Sequence, residues 1–216
     1  MTKGNFLRLK KFFSQFPSKK IAKNSLIFKP GDKIENIYFM KSGYVRAYSK
    51  FPFGENTLNI FKPLFIISVI HYFTNHRNDL YLQAITSAEV YIVPKLEFKK
   101  FLDKNHEMSA IIMDFFFSSL HLYLTNQGNI INGSALNKVA SVLLQIVRDY
   151  GDIKNGQLVV NFPATHRIVA SLIGLTRETT SVQMSKLQKM GVISSKRAQF
   201  TVLNMAKLKE LASIVE

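Results

Sequence analysis

Two adjacent charged residues, Arg177 and Glu178, have side-chain types that bind the edges of DNA bases. An arginine can donate to both acceptors of a guanine edge, and a glutamate can accept from the amino group of cytosine. One helical turn further on, Val182 offers only methyl groups, which suit the methyl group of thymine. If Val182 faces the protein core instead, Ser181 and Gln183 are the next candidates. Hydroxyl and lysine side chains near these residues suit phosphate oxygens. The predicted DNA-contacting residues, for bases and phosphates together, are Thr165, Thr176, Arg177, Glu178, Thr179, Ser181, Val182 and Lys186.

These side chains need a rigid element to hold them, and residues 164–191 predict two short helices joined by a tight turn. The Thr165 hydroxyl can cap the first helix, whose apolar residues recur at helical spacing. Gly174 can adopt the left-handed conformation of a tight turn, and Thr176 can cap the second helix. This arrangement is typical of a helix-turn-helix, whose second helix enters the major groove of DNA. The alternative is an ordinary helical hairpin with a solvated polar face.

The segment at 174–181, Gly-Leu-Thr-Arg-Glu-Thr-Thr-Ser, resembles the helix-turn-helix signature of the Crp/Fnr superfamily of bacterial transcription regulators. Residues 191–203 resemble that family's two-stranded wing, and earlier segments resemble its sensor barrel and dimerisation helix. The resemblance implies a dimeric, sequence-specific DNA-binding transcription regulator of α+β class. It implies an N-terminal double-stranded β-helix (jelly-roll) sensor domain at 1–104, a long dimerisation helix with a hinge at 105–133, and a winged helix-turn-helix at 134–216.

The 216 residues carry a formal net charge of +15, which favours a polyanionic partner. Residues 1–33 hold nine lysines and arginines against one acid, and residues 164–216 hold eight against three. The middle of the chain is close to neutral, which fits a DNA-binding domain attached to a sensor. The predicted partners are double-stranded DNA with an inverted-repeat operator, a second copy of the chain, and RNA polymerase. No membrane partner is expected, although an acidic membrane surface would be the second choice for so basic a chain.

The sequence lacks the residues and motifs that several other functions require. Having no cysteine, it can form no disulfide, thiolate nucleophile or cysteine-ligated metal centre. It contains no phosphate-binding loop, nucleophile elbow, zinc-protease motif or glycine-rich dinucleotide loop, so we do not expect an enzyme. No apolar run approaches the ~18 residues of a membrane span and no secretory leader is visible, which predicts a cytoplasmic protein. The alternative function is a protein- or membrane-interaction module whose helix-turn-helix no longer binds DNA.

Residues 19–100 alternate short β-rich runs with turn residues, which predicts a small barrel or jelly roll. The candidate strands are 25–29, 36–41, 43–50, 56–61, 80–86 and 89–94. The resemblance implies the double-stranded β-helix of a cyclic-nucleotide-binding fold.

The expected effector site departs from the family pattern. Family members that bind a cyclic nucleotide carry Gly-Glu, and roughly ten residues later an arginine that pairs with the cyclic phosphate. Here Ile67 and Ser68 replace Gly-Glu, and Asn78 stands near the arginine position with Arg77 beside it. We therefore expect no binding of cAMP or cGMP and predict no cofactor; the effector is unknown, and haem on a single histidine is a less favoured alternative. The candidate effector-pocket residues are Ile67, Ser68, Arg77, Asn78, Tyr123 and Leu124.

Residues 105–131 predict a long helix that is apolar on two sides, so two surfaces must be covered. One cover is the sensor domain of its own chain, and the other is expected to be the same helix of a second chain. A buried helix in a monomer is the alternative. The predicted dimer-interface residues are Met108, Ile111, Phe115 and Leu122.

The N-terminal segment 5–16 places Phe6, Leu9, Phe13 and Phe16 on one face of a short helix. Such a helix can lie on a membrane surface or pack its aromatic face against a folded domain. We favour packing against the sensor domain, because short amphipathic helices usually face a protein core.

Overall fold

The computed structural model describes residues 3–52, 54–74, 76–154, 157–196 and 199–212. The chain divides into two compact units, of which the first comprises Met1–Phe51 and Thr57–Leu120 and the second comprises Pro52–Asn56 and His121–Glu216. Within the described ranges, no helix combines the length and the apolar character that crossing a membrane requires.

The first part of the chain consists of short strands interrupted and flanked by helices. In order, its elements are α1 (Lys3–Phe13), β1 (Ser18–Ile21), β2 (Leu26–Phe28), β3 (Asn36–Ser42), β4 (Val45–Phe51), β5 (Gly54–Phe61), β6 (Ile66–Ile67), α2 (Val69–Phe73), β7 (Tyr81–Ala84), β8 (Ala88–Pro94), α3 (Lys95–Asp103) and α4 (His106–Asn132).

The strands form two four-stranded sheets with the orders β1-β8-β3-β6 and β2-β7-β4-β5. Both sheets contribute apolar side chains to a shared inner core, with Met40 and Val90 from one sheet and Val45 and Leu82 from the other. Period-two alternation along each strand directs these residues inward. The sheets do not close into a barrel, but their arrangement is that of the expected jelly roll.

A second core lies on the outer face of the β1-β8-β3-β6 sheet, beneath α1, α3 and the start of α4. The ring of Phe13 stacks on that of Phe39 with their centroids 4.5 Å apart, and both side chains are almost fully buried. Arg8 on α1 forms an ion pair with Glu107 on α4. The amphipathic N-terminal helix therefore packs against the first unit, as expected.

The long helix α4 uses one of its two apolar sides inside its own chain. Met108 is completely buried in the outer core, and Ile111 packs against the same cluster. The ring of Phe115 meets those of Phe6 and Phe65 at centroid distances of 6.3 and 5.1 Å. The assignment of Met108 to a dimer interface is therefore corrected, because a side chain with no exposed surface cannot contact a second chain.

Two further predicted interface residues, Ile111 and Phe115, are partly covered by contacts within their own chain. The remaining predicted interface residue, Leu122, has its side chain outside the described residues. A different set of large apolar side chains on α4 is exposed, namely Phe117, Leu120 and Leu124.

The second unit is helical with one small sheet. Its elements are α5 (Ala135–Tyr150), β9 (Gly151–Lys154), β10 (Gln157–Val160), α6 (His166–Ile173), α7 (Arg177–Lys189), β11 (Ile193–Lys196), β12 (Gln199–Val202) and α8 (Met205–Ala212). The sheet has the order β11-β12-β10-β9, in which β11 and β12 form the antiparallel wing.

Helix α5 is the scaffold of this unit. Ser134 caps it by accepting from the Asn137 amide, and its inward residues Val139 and Leu143 have no exposed surface. The Ser141 hydroxyl donates to the Ala212 carbonyl at 3.0 Å, which attaches α8 to α5. Helix α5 also packs against α6 and α7, the two helices that carry the candidate site.

The six candidate strands of the sensor correspond to β2, β3, β4, β5, β7 and β8. Sequence reasoning missed β1, β6, β9 and α2, which span only two to five residues each. Length alone is not the reason, because β2 and β7 span three and four residues and were predicted. Strands β1 and β9 each hold one large apolar residue, which leaves no alternating pattern, and β6 has only two residues.

Candidate nucleic-acid interface

Local hydrogen bonds fix both helices of the predicted helix-turn-helix. The Thr165 hydroxyl accepts from the Ile168 amide at 3.2 Å and so caps α6. Gly174 ends that helix with φ of 65°, a left-handed conformation that favours glycine. The Thr176 hydroxyl accepts from the Thr179 amide at 3.1 Å and caps α7. All three features are the ones that the sequence predicted.

The caps also define what two of the predicted contact residues do. The Thr176 hydroxyl donates to the Thr179 hydroxyl at 2.9 Å in addition to accepting its amide proton. Both side chains therefore orient the first turn of α7, while Thr176 stays exposed and Thr179 is half-buried. Thr165 is exposed at the start of α6, and its hydroxyl proton can still donate to a phosphate oxygen.

Helix α7 has one buried and one exposed side. Thr180, Met184 and Leu187 are buried against the rest of the unit. The opposite side exposes Glu178 and Val182, and Val182 is 63% exposed. This exposure decides between the two orientations considered for Val182, since the side chain faces outward rather than into the core.

The residues at the centre of the exposed side follow a helical spacing of four, three and four positions: Glu178, Val182, Ser185 and Lys189. Ser181 is half-buried on one flank, and Lys186 is exposed on the other. Sequence reasoning missed Ser185 and Lys189, although their spacing from Glu178 marks the same helical face.

Arg177 lies on the side of α7 that faces the wing. It lines a cavity of about 260 Å³ with residues from the start of α6 and from both wing strands. The lining residues are Ala164, Thr165, His166, Arg167, Arg177, Met184, Ser195, Gln199 and Phe200. Across the same side, the Gln188 amide donates to the Ser195 hydroxyl at 2.8 Å and links α7 to the wing.

This cavity brings two arginines, a histidine and several neutral donors together; its lining includes no acidic side chain, and of the two arginines Arg167 forms an ion pair with Glu55 at 3.5 Å. Such a set suits an anion, and a DNA phosphate is the anion that a helix-turn-helix meets. Sequence reasoning missed His166, Arg167, Ser195 and Gln199, because a wing and a helix start that are far apart in sequence meet only in the folded unit.

The candidate effector residues of the first unit have structural roles. Ile67 is 1% exposed in the inner core. Ser68 adopts φ of 68°, and its hydroxyl donates to the Asn36 carbonyl at 3.2 Å. The buried amide of Asn78 donates to the carbonyls of Lys29 and Leu80, each at 2.7 Å, and so closes a loop.

The other candidate effector residues do not complete a polar site in the first unit. Arg77 is exposed, while Tyr123 is half-buried and Leu124 is exposed on the part of α4 that belongs to the second unit. Within the described part of the chain, no cluster of three or more histidine or carboxylate side chains could hold a metal ion.

Comparison with known families matches both units. Residues 18–105 match the cyclic nucleotide-binding domain, and residues 137–211 match the Crp-like helix-turn-helix domain. The two matches follow each other in the order in which the sensor and the winged domain occur along this chain.

Curated relatives cover most of the chain at low identity. The global nitrogen regulator of Nostoc sp. is 24% identical over 183 residues, which are 83% of this chain and 82% of the relative. The anaerobic regulatory protein of Aggregatibacter actinomycetemcomitans is 24% identical over 197 residues, which are 90% of this chain and 76% of the relative.

Solved structures show the same fold. FixK2 from Bradyrhizobium japonicum superposes with a TM-score of 0.80 at 20% identity, covering 93% of this chain and 99% of its own. A CooA mutant from Carboxydothermus hydrogenoformans also gives 0.80, at 21% identity, covering 99% of this chain and 98% of its own. With both domain matches and these relatives, the chain belongs to the Crp/Fnr superfamily of transcription regulators.

Proposed function

We propose that this protein is a dimeric transcription regulator that places α7 in the major groove of an inverted-repeat operator. The observation that carries the proposal is the exposed side of α7, where Arg177, Glu178 and Val182 lie beside a cationic cavity. The exposed side supplies contacts to base edges, and the cavity supplies contacts to the phosphate backbone. The proposed DNA-contacting residues are those predicted from the sequence, together with Ser185, Lys189 and the polar residues of the cavity.

The proposed dimer forms through α4, with the interface on its exposed apolar stripe. Phe117, Leu120 and Leu124 are 56, 39 and 60% exposed, and their spacing of three and four positions is that of a coiled-coil seam. A large apolar stripe on a helix is stabilised when a second copy covers it. A two-fold dimer would present two copies of α7 to major grooves ~34 Å apart, which is one turn of DNA.

The remaining parts of the proposal concern the cellular setting. We infer that the protein acts in the cytoplasm and influences RNA polymerase after binding DNA, as a transcription regulator must. The relatives named as nitrogen and anaerobic regulators support regulation of transcription, and the signal that this chain senses is a separate question. An interaction module with an inactive helix-turn-helix is not favoured, since the exposed side of α7 keeps its charged and hydroxyl side chains.

In vitro selection of duplexes from a random library, using the purified full-length protein, tests this function. We expect an enriched inverted repeat, bound with an affinity that falls steeply as salt increases. Selection of no motif, together with no salt-dependent binding to mixed duplex DNA, would contradict the proposal.

A further inference from the structure

Val182 stands out on the exposed side of α7 because its neighbours there are polar or charged. The residues around it are Glu178, Ser181, Ser185 and Lys186, and all residues of α7 are described. A single exposed apolar side chain is common on protein surfaces and by itself needs no explanation. Its position at the centre of a proposed DNA-contacting surface is what raises the question of a role.

The helix geometry directs Val182 squarely away from the protein. It lies two residues from Thr180 and two residues from Met184, and both of those side chains are fully or almost fully buried. Two residues correspond to a rotation of about 200°, so Val182 lies on the opposite side of the helix from both. If α7 occupies the major groove, this side chain meets the floor of the groove rather than the phosphate backbone.

The chemistry of the four bases then limits what Val182 can contact favourably. Guanine and adenine present acceptors or donors that an apolar side chain would leave without a hydrogen-bond partner, and cytosine presents its amino group. Thymine presents, besides its O4 acceptor, a methyl group at the edge of the groove, which two valine methyls can cover; among the four bases only thymine offers such an apolar group.

We propose that Val182 selects thymine in each operator half-site by packing against its C5-methyl group. Glu178 lies one helical turn earlier, about 6 Å along the axis. The thymine should therefore lie within about two base pairs of the base pair that Glu178 contacts, given a rise of about 3.4 Å per pair. This inference rests on the DNA-binding function proposed above and specifies one feature of the operator.

The test removes the methyl group without changing the base pair. In the selected operator, each thymine of the half-site is replaced in turn by deoxyuridine, and affinity is measured by fluorescence anisotropy. For the wild-type protein we expect one position at which deoxyuridine weakens binding about three- to fivefold. This is the effect of losing the burial of one methyl group in the interface. For Val182→Ala, uridine at that position should have little further effect.

Two controls separate this contact from general effects. Ile153→Ala removes an exposed apolar side chain of β9, outside the proposed DNA-contacting surface, and should keep the wild-type response to deoxyuridine. Thermal unfolding of Val182→Ala should match the wild type, because the substituted side chain is exposed. If no thymine distinguishes wild type from Val182→Ala, the inference is overturned while DNA binding stands. If the wild type selects no DNA, both the inference and the proposed function fail.

Discussion

At the residue scale, Thr180 has a buried polar atom that costs stability. Its side chain has no exposed surface, and its hydroxyl has no hydrogen-bond partner among the described residues. An unsatisfied buried hydroxyl costs about 1–3 kcal/mol, and valine has nearly the same shape without it. We expect Thr180→Val to raise the free energy of unfolding by about 1 kcal/mol in urea titrations. Thr180→Ser keeps the hydroxyl but loses the methyl group, so it should lower stability; a destabilised Thr180→Val would contradict this account.

Substitution of Arg177, which lines the cavity, tests whether this side chain contacts a base or a phosphate. If Arg177 bonds guanine, Arg177→Ala should weaken the free energy of DNA binding by about 1–3 kcal/mol. The selected motif should also lose its base preference at one position. Repeating the selection with the variant measures this directly. Lys186→Ala provides the contrast, since loss of a phosphate contact weakens all sequences alike and lowers the salt slope by about one. Equal weakening of every sequence by Arg177→Ala would identify Arg177 as a phosphate contact instead. Arg77→Ala, an exposed arginine of the sensor unit, should leave DNA affinity unchanged.

At the scale of single elements, α4 carries apolar residues of two kinds, those buried in the outer core and those exposed on its surface. Leu120→Glu places a charge on the exposed stripe, where it should convert a dimer to a monomer without unfolding the chain. Met108→Glu places the same charge in the outer core, where it should unfold the first unit. Light scattering for mass and circular dichroism for folding measure the two effects. A wild-type protein that is monomeric at micromolar concentration would rule out the interface.

Glu89 joins three strands of one sheet and makes that sheet sensitive to acid. It accepts from the Lys41 ammonium at 2.8 Å and from the Ser18 hydroxyl at 2.6 Å. The hydrogen bond from Lys41 lowers the pKa of Glu89 from its usual 4.5. A carboxylate whose pKa is lowered by folding stabilises the folded state above its unfolded pKa, and this stabilisation is lost as pH falls through the folded pKa.

We therefore expect Glu89→Gln to unfold at a lower temperature than the wild type at neutral pH. The difference should shrink as the pH falls below 4.5 towards the lowered pKa of Glu89, where the wild-type carboxylate takes up a proton and loses its charge. Thermal unfolding of both proteins across this pH range measures the difference. Glu97→Gln is the control, because its partner Lys100 lies one turn away on α3, both side chains are exposed, and such surface pairs contribute little. A difference that is constant with pH would show that the ion pair is not its cause.

At the scale of the whole molecule, the first unit has the fold of a cyclic nucleotide-binding domain, but residues at two of the expected nucleotide-binding positions have structural roles instead. Ile67 fills the inner core and the amide of Asn78 is bound to two backbone carbonyls, so neither side chain can hold a nucleotide phosphate. We expect isothermal calorimetry to detect no binding of cAMP or cGMP to the full-length protein. Micromolar affinity for either nucleotide would show that the fold provides a site which these residues do not indicate.

The sequence alone determined the features that depend on neighbouring residues. The caps at Thr165 and Thr176 and the left-handed turn at Gly174 each involve atoms within a few positions of one another. Such contacts leave a signature in residue type and spacing. The longer strands were predicted for the same reason, since alternation over six or more residues is a local pattern.

The tertiary structure decided which faces are covered and which remain available. Sequence periodicity showed that α4 is apolar on two sides, but only the packing of α1 and the sheet shows that Met108 is inside and Leu120 is outside. The cavity that joins Arg167 to Gln199 likewise requires a wing and a helix start separated by some thirty residues to fold together. Burial depends on contacts between elements that are distant in sequence, and a local pattern does not contain them.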